Sequence, residues 1–239
     1  MQVTHDSSYN PSGIPTLTNV YRILIADRLP IIRHGLRQLL EQEPGIDVCG
    51  DAEPGEDAIQ QARILKPDFV LTDLHRTGLR GMEYVRELSQ AQEEAAIVIY
   101  SEVDNPLYVK QVLQRGVRGY ILKSEGLREV LDAVSFVRRE GVWVSAKLRA
   151  SLLRNALPSH RRIASESPEL RLSRREFEVF LLIGGGYAPR HIAESLNLSV
   201  KTIESHRDRI KQKMELPTAA ALRKYAVEWV QHEIGRERS

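Results

Sequence analysis

Apolar and polar positions change rhythm partway along the chain. In the first part, short apolar runs alternate with stretches in which apolar residues recur every three or four positions. The runs are Tyr21–Ala26, Asp47–Cys49, Phe69–Thr72, Ala96–Tyr100 and Gly119–Leu122. Helical spacing follows each of them, over Ile31–Leu40, Glu56–Leu65, Met82–Leu88, Leu107–Gln114 and Leu127–Arg138. Gly and Pro punctuate the joins at Pro44-Gly45, Pro54-Gly55, Pro67 and Gly116. Strand and helix alternating through short joins predict a doubly wound α/β domain with a five-stranded parallel sheet. "FVLTD" and "AIVIY" are continuously apolar, as strands covered on both faces must be.

Beyond residue 138 the alternation stops. "VSAKLRASLLRNAL" has the pattern of a short helix, and "PSHRRIASESP" is polar, basic and bounded by proline, as linkers are. From Leu172 onward only helical spacing remains, over residues 174–183, 189–196, 200–214 and 218–233. Ser199 is placed to cap the third of these helices. The expected organisation is a disordered tail over 1–19, an α/β domain over 20–138, a linker over 139–168 and an all-α four-helix domain over 169–239.

Charge sharpens this division. The net charge is +2, but it is uneven: residues 1–137 carry −6, residues 138–168 carry +5 and residues 169–239 carry +3. A basic rear half behind an acidic front half points to a polyanionic partner for the rear domain. With 42% hydrophobic residues the chain can bury a core. No apolar run approaches the roughly 18–20 residues of a membrane helix, and the N-terminus lacks the basic and apolar regions of a secretory signal. The single cysteine, Cys49, excludes an internal disulfide and fits a reducing compartment. A cytoplasmic protein without a membrane partner is expected.

Ligands of open parallel sheets sit outside the C-terminal strand ends. Asp27, Asp73, Ser101 and Lys123 end the first, third, fourth and fifth strands, so four polar groups converge on one rim. Such a cluster suits phosphoryl transfer to a carboxylate. An aspartate can form an acyl phosphate, a divalent cation can neutralise the incoming charge, and a lysine can pair with the phosphoryl oxygens.

On these residues, in "RILIADRLPI", "VLTDLHRTGLRGME", "IVIYS" and "GYILK", residues 20–138 resemble a response-regulator receiver domain. The resemblance implies that Asp73 is the phosphoacceptor and Lys123 the phosphate-contacting lysine. It implies that Ser101 and Tyr120 are the switch hydroxyl and aromatic. Asp27, Asp73 and the main-chain carbonyl of His75 would hold Mg2+. Three positions depart from the family pattern. Arg28 stands where a second acid usually ligates the metal, Thr77 where proline is usual, and Arg80 where an acid is common. A guanidinium beside two carboxylates should pair with them and occupy or repel the cation site. Arg28 is therefore expected to block the pocket and to impair Mg2+-dependent phosphorylation of Asp73; no other cofactor is expected.

In the rear domain, "HIAESLNLSVKTIESH" has helix-turn-helix spacing. Ile192, Ala193, Leu196, Leu198, Ile203 and Ile210 can form one small core. Together, "LSRREFEV" and "LSVKTIESHRDRIKQKM" closely resemble the LuxR-type domain of the NarL/FixJ subfamily. That resemblance implies that Lys201, Thr202, Glu204, Ser205 and Asp208 face the groove of double-stranded DNA. His206, Arg209 and Lys213 would meet phosphates. Pro189 and His191 depart from the usual scaffold helix, and a first-turn proline is tolerable there. A module of this size is expected to act as a homodimer on paired half-sites. Tyr225, Val227, Trp229 and Val230 either form a symmetric helix pair or pack on the module's own core.

The expectation is a transcription regulator rather than an enzyme, controlled through the receiver by a sensor histidine kinase or another regulatory protein. A haloacid-dehalogenase-like phosphatase would need an aspartate two residues after Asp27, where this chain has Leu29. Conventional control by phosphorylation of Asp73 is one alternative. A protein-binding scaffold with a silent DNA domain is another.

Overall fold

The computed structural model describes residues 20–74, 79–139, 141–156 and 168–235. The front domain runs β1 (Tyr21–Ala26), α1 (Pro30–Leu40), β2 (Ile46–Ala52), α2 (Glu56–Leu65), β3 (Phe69–Thr72), α3 (Leu79–Ala91), β4 (Ala96–Ser101), α4 (Pro106–Leu113), β5 (Gly119–Leu122) and α5 (Arg128–Val137). Then follow β6 (Trp143–Val144) and α6 (Ala146–Ala156). The strands form one parallel sheet in the order β2-β1-β3-β4-β5-β6.

The apolar strands are buried because both faces are covered. In β1, Ile23 and Ile25 pack with Leu36 of α1 and Val130 and Val134 of α5, while Leu24 and Ala26 join the core under α2, α3 and α4. Adjacent strand side chains point to opposite faces, so a continuous apolar run serves both layers.

β6 is an addition to the five expected strands, and β6 and α6 fall inside the region expected to be linker. A two-residue strand carries no readable alternation. Its place is marked instead by Gly119, where a Cβ would lie 2.9 Å from the Trp143 carbonyl. Trp143 also packs edge-on against Phe136 of α5, with ring centroids 5.6 Å apart. β2 extends beyond the expected Asp47–Cys49 and carries an irregularity opposite Ile23 and Leu24.

The rear domain comprises α7 (Arg174–Gly184), α8 (Pro189–Ser195), α9 (Val200–Lys213) and α10 (Ala219–Gly235). Residues 176–183 of α7 are all buried. A helix covered on every side must have neighbours on every side. α9 and α10 cover part of α7, and α3 of the front domain also meets it. α10 lies so close that a Cβ on Gly184 would meet the Ala226 carbonyl oxygen at 2.5 Å.

Across this junction Arg115, just past α4, reaches Glu178 of α7 at 2.7 Å, and both side chains are nearly buried. Arg175 and Arg174 approach the same carboxylate at 2.8 and 3.4 Å. Burial lowers the Arg115 pKa, with Glu178 opposing.

Candidate functional site: the receiver rim and the helix-turn-helix

Asp27 follows β1, Asp73 follows β3 and Lys123 follows β5, which brings the three together at the C-terminal rim of the sheet. Both acids are buried. The Lys123 ammonium lies 2.7 Å from Asp27 Oδ2 and 3.1 Å from Asp73 Oδ2. Burial works against the lysine charge, but Asp73 and Asp27 outweigh it, so its pKa stands above the ordinary value. Asp27 is fixed further. Its Oδ1 accepts a hydrogen bond from the Leu29 amide at 2.8 Å, and its carbonyl accepts one from Arg33 at 2.7 Å. Arg33 in turn pairs with Asp51 at 2.9 Å.

Ser101 and Tyr120 meet on a single residue. The Ser101 hydroxyl accepts a hydrogen bond from the Val103 amide at 3.4 Å, and the Tyr120 hydroxyl donates to the Val103 carbonyl at 2.8 Å. Both side chains are fully buried. Thr72, next to Asp73, shares a 2.8 Å hydrogen bond with the Tyr84 hydroxyl. A cavity of about 420 Å³ opens beside Asp73 between α2 and α3, with Glu56, Glu83 and Glu87 on its walls.

Arg28 does not take the place expected for it. It is exposed, and among the described residues it pairs with neither Asp27 nor Asp73. Lys123 makes both contacts instead. Asp27 is buried in the rim, whereas Arg28, beyond the end of β1, is exposed to solvent. Arg28 therefore does not clamp the acids, although its position still lacks a carboxylate.

His75 and Thr77 lie outside the described residues, as does the Arg80 side chain. Among the described residues no group of three or more His, Cys, Asp or Glu side chains is placed to hold a metal. Asp27 and Asp73 are the two carboxylates that could hold Mg2+, which is commonly bound through one or two carboxylates and water, and both are paired with the Lys123 ammonium.

In the rear domain, the helix-turn-helix forms as the spacing predicts. Pro189 opens α8, Asn197 takes a left-handed conformation in the turn (φ 51), and the Ser199 hydroxyl caps α9 by accepting from the Thr202 amide at 3.1 Å. Ile203, Ile210 and Met214 are buried. On the other side Lys201, Glu204, Ser205, Asp208 and Arg209 are exposed.

Three residues expected at DNA are partly engaged elsewhere. The Thr202 hydroxyl bonds to that of Ser199 at 2.8 Å. Lys213 pairs with Glu176 at 2.6 Å. His206 is half-buried; burial and the nearby Arg209 hold its imidazole below the ordinary value, with Glu176 opposing.

Tyr225 and Trp229 belong to the module's own core. The Tyr225 hydroxyl and the Trp229 indole N–H donate to buried Glu169 at 3.0 and 3.1 Å. Burial first, then Glu169, pushes the Tyr225 pKa up to about 12. Trp229 also meets Phe177 and Phe180 edge-on, and Val230 is buried. Sequence reading passes over Glu169 and Arg115, because their partners lie far along the chain.

Residues 23–135 match the response regulator receiver domain family, and residues 170–226 match the LuxR family of bacterial regulatory proteins. Transcriptional regulatory protein DegU of Brevibacillus brevis is 31% identical over 214 residues, covering 83% of this chain and 89% of DegU. Response regulator GacA of Pseudomonas aeruginosa is 31% identical over 206 residues, covering 86% of this chain and 95% of GacA. Among solved structures, RcsB from Salmonella enterica serovar Typhimurium, bound to promoter rprA with the phosphomimetic BeF3−, superposes with a TM-score of 0.64 at 26% identity. That match covers 87% of this chain and 99% of RcsB. The family consists of transcription regulators, not enzymes, and no helix among the described residues is long and apolar enough to cross a membrane. The chain belongs to the NarL/FixJ-type response regulators, a receiver domain followed by a LuxR-type helix-turn-helix.

Proposed function

We propose that this response regulator binds DNA sequence-specifically as a cytoplasmic homodimer, and that its receiver is not switched by Mg2+-dependent phosphorylation of Asp73 in the ordinary way. The DNA reading is supported by α9, which buries one side and exposes the other with the receiver docked on the module. RcsB, a structural relative, is solved on promoter DNA and as dimers on DNA. Affinity would come largely from phosphate contacts and fall steeply with salt.

The observation carrying the receiver reading is Lys123, seated between Asp27 and Asp73 with an arginine where a third acid would ligate the cation. Control would then come from a partner protein, a small ligand or dimerisation.

A second reading, phosphorylation of Asp73 by a sensor histidine kinase, has support in the same site. It is supported by Asp73 with Lys123 3.1 Å away, and by Ser101 and Tyr120, which both hydrogen-bond to Val103. Mobility shift with the full chain separates the two. Under the leading reading, acetyl phosphate with Mg2+ leaves DNA affinity unchanged. A rise in affinity that depends on Asp73 favours the second. No retention of any duplex at low salt favours a scaffold with a silent DNA domain.

A further inference from the structure

One stripe of α9 faces solvent. Lys201, Glu204, Ser205, Asp208, Arg209 and Gln212 recur along it at three- and four-residue spacing, opposite buried Ile203, Ile210 and Met214. Two carboxylates therefore stand on a face that must approach a polyanion. A carboxylate can only accept hydrogen bonds, so phosphates repel it. In the major groove the donors are the amino groups of cytosine and adenine. Adenine presents its N7 acceptor beside the amino group, and an all-acceptor side chain suits that edge poorly. Cytosine presents the amino donor without such a neighbour.

Glu204 and Asp208 differ in their support. Glu204 lies in the N-terminal half of α9, the part of a recognition helix that reaches base edges. Arg207 Nη1 holds Glu204 Oε1 at 2.7 Å, with the Arg207 side chain 20% exposed and that of Glu204 48% exposed. Oε2 takes no hydrogen bond among the described residues. One oxygen is thus anchored while the other is left to accept. Asp208 sits a turn further on, paired with Lys211 at 2.9 Å.

We propose that Glu204 is a specificity-determining residue that selects a cytosine in each half-site, with Arg207 as the positioning residue that aims its carboxylate. This rests on the DNA-binding reading above. Selection of binding sites from a randomised duplex library, with the full chain, is the test. The wild type should enrich a cytosine at one position per half-site, favoured about fivefold or more over other bases, as base-edge hydrogen bonds discriminate.

Glu204→Ala should leave that position degenerate and the rest of the motif intact. Glu204→Gln should move it toward adenine, whose amino group and N7 an amide complements. Arg207→Ala should relax the same position alone, which loss of helix structure would not do. An unchanged motif with Glu204→Ala overturns the assignment, and so does relaxation at a position that was not cytosine. If the wild type enriches no sequence, the DNA-binding reading fails and this assignment fails with it.

Discussion

Lys123 ties Asp27 to the opposite side of the receiver rim, its ammonium 2.7 Å from the Asp27 carboxylate and 3.1 Å from that of Asp73. Two buried acids close together repel unless a cation lies between them. Here a side chain supplies that cation.

Replacing Lys123 by Met should therefore destabilise the receiver by about 3–5 kcal/mol, the cost of leaving buried charges uncompensated. Urea denaturation near pH 7 reads this directly. The wild-type advantage also has a pH window. The folded lysine pKa lies above its ordinary 10.5, so the advantage is complete below that value and fades as pH rises through the folded one. A Lys123→Met protein as stable as the wild type at pH 7 would mean that the acids do not depend on this cation.

Arg115 and Glu178 join the two domains through a nearly buried ion pair. Glu178→Gln should loosen this junction, because Arg115 then loses its charge partner in a dry site. Small-angle scattering should detect a larger radius of gyration. DNA affinity should change by less than about twofold, because Glu178 is not among the residues proposed to contact DNA from α9. A large loss of affinity with unchanged scattering would assign Glu178 a role at the DNA face instead.

Glu176 caps α7 and pairs with Lys213. Burial opposes its ionisation, yet Lys213 and the Ser173 groups hold its pKa below the ordinary carboxylate range. Glu176→Gln keeps a capping side chain and loses the ion pair, costing about 1 kcal/mol once the solvent exposure of Lys213 is discounted. The sign follows from the lowered pKa. The difference is full above the ordinary value of 4.5 and closes as pH falls through the folded one. Thermal unfolding at pH 7 and pH 3 should show a larger gap at pH 7 than at pH 3.

Glu169 accepts hydrogen bonds from Tyr225 and Trp229. Glu169→Ala leaves two donors near the core without their acceptor, at about 1–3 kcal/mol for each one left unpaired. Trp229 fluorescence should report an earlier unfolding transition.

The sheet and the helix-turn-helix were legible because their signals are local. "AIVIY" is long enough to read as a covered strand, and Ser199 marks a helix start on its own. β6 was not, since two residues give no period. The buried run 176–183 is easily taken for one face of a small helical core, because the receiver that covers part of it is distant in sequence. The rim residues were legible from their strand ends, but not their pairing. Arg28 was the nearest cation along the chain, whereas Lys123, far away in sequence, makes the contacts.

The receiver's chemistry turns on whether Asp73 accepts a phosphoryl group. Acetyl phosphate with Mg2+ should be tested on the wild-type chain beside Arg28→Asp, with incorporated label counted at Asp73. Little label on the wild type and near-stoichiometric label on Arg28→Asp is the predicted result, because the substitution restores the missing carboxylate at position 28. Near-stoichiometric labelling of wild-type Asp73 would contradict it.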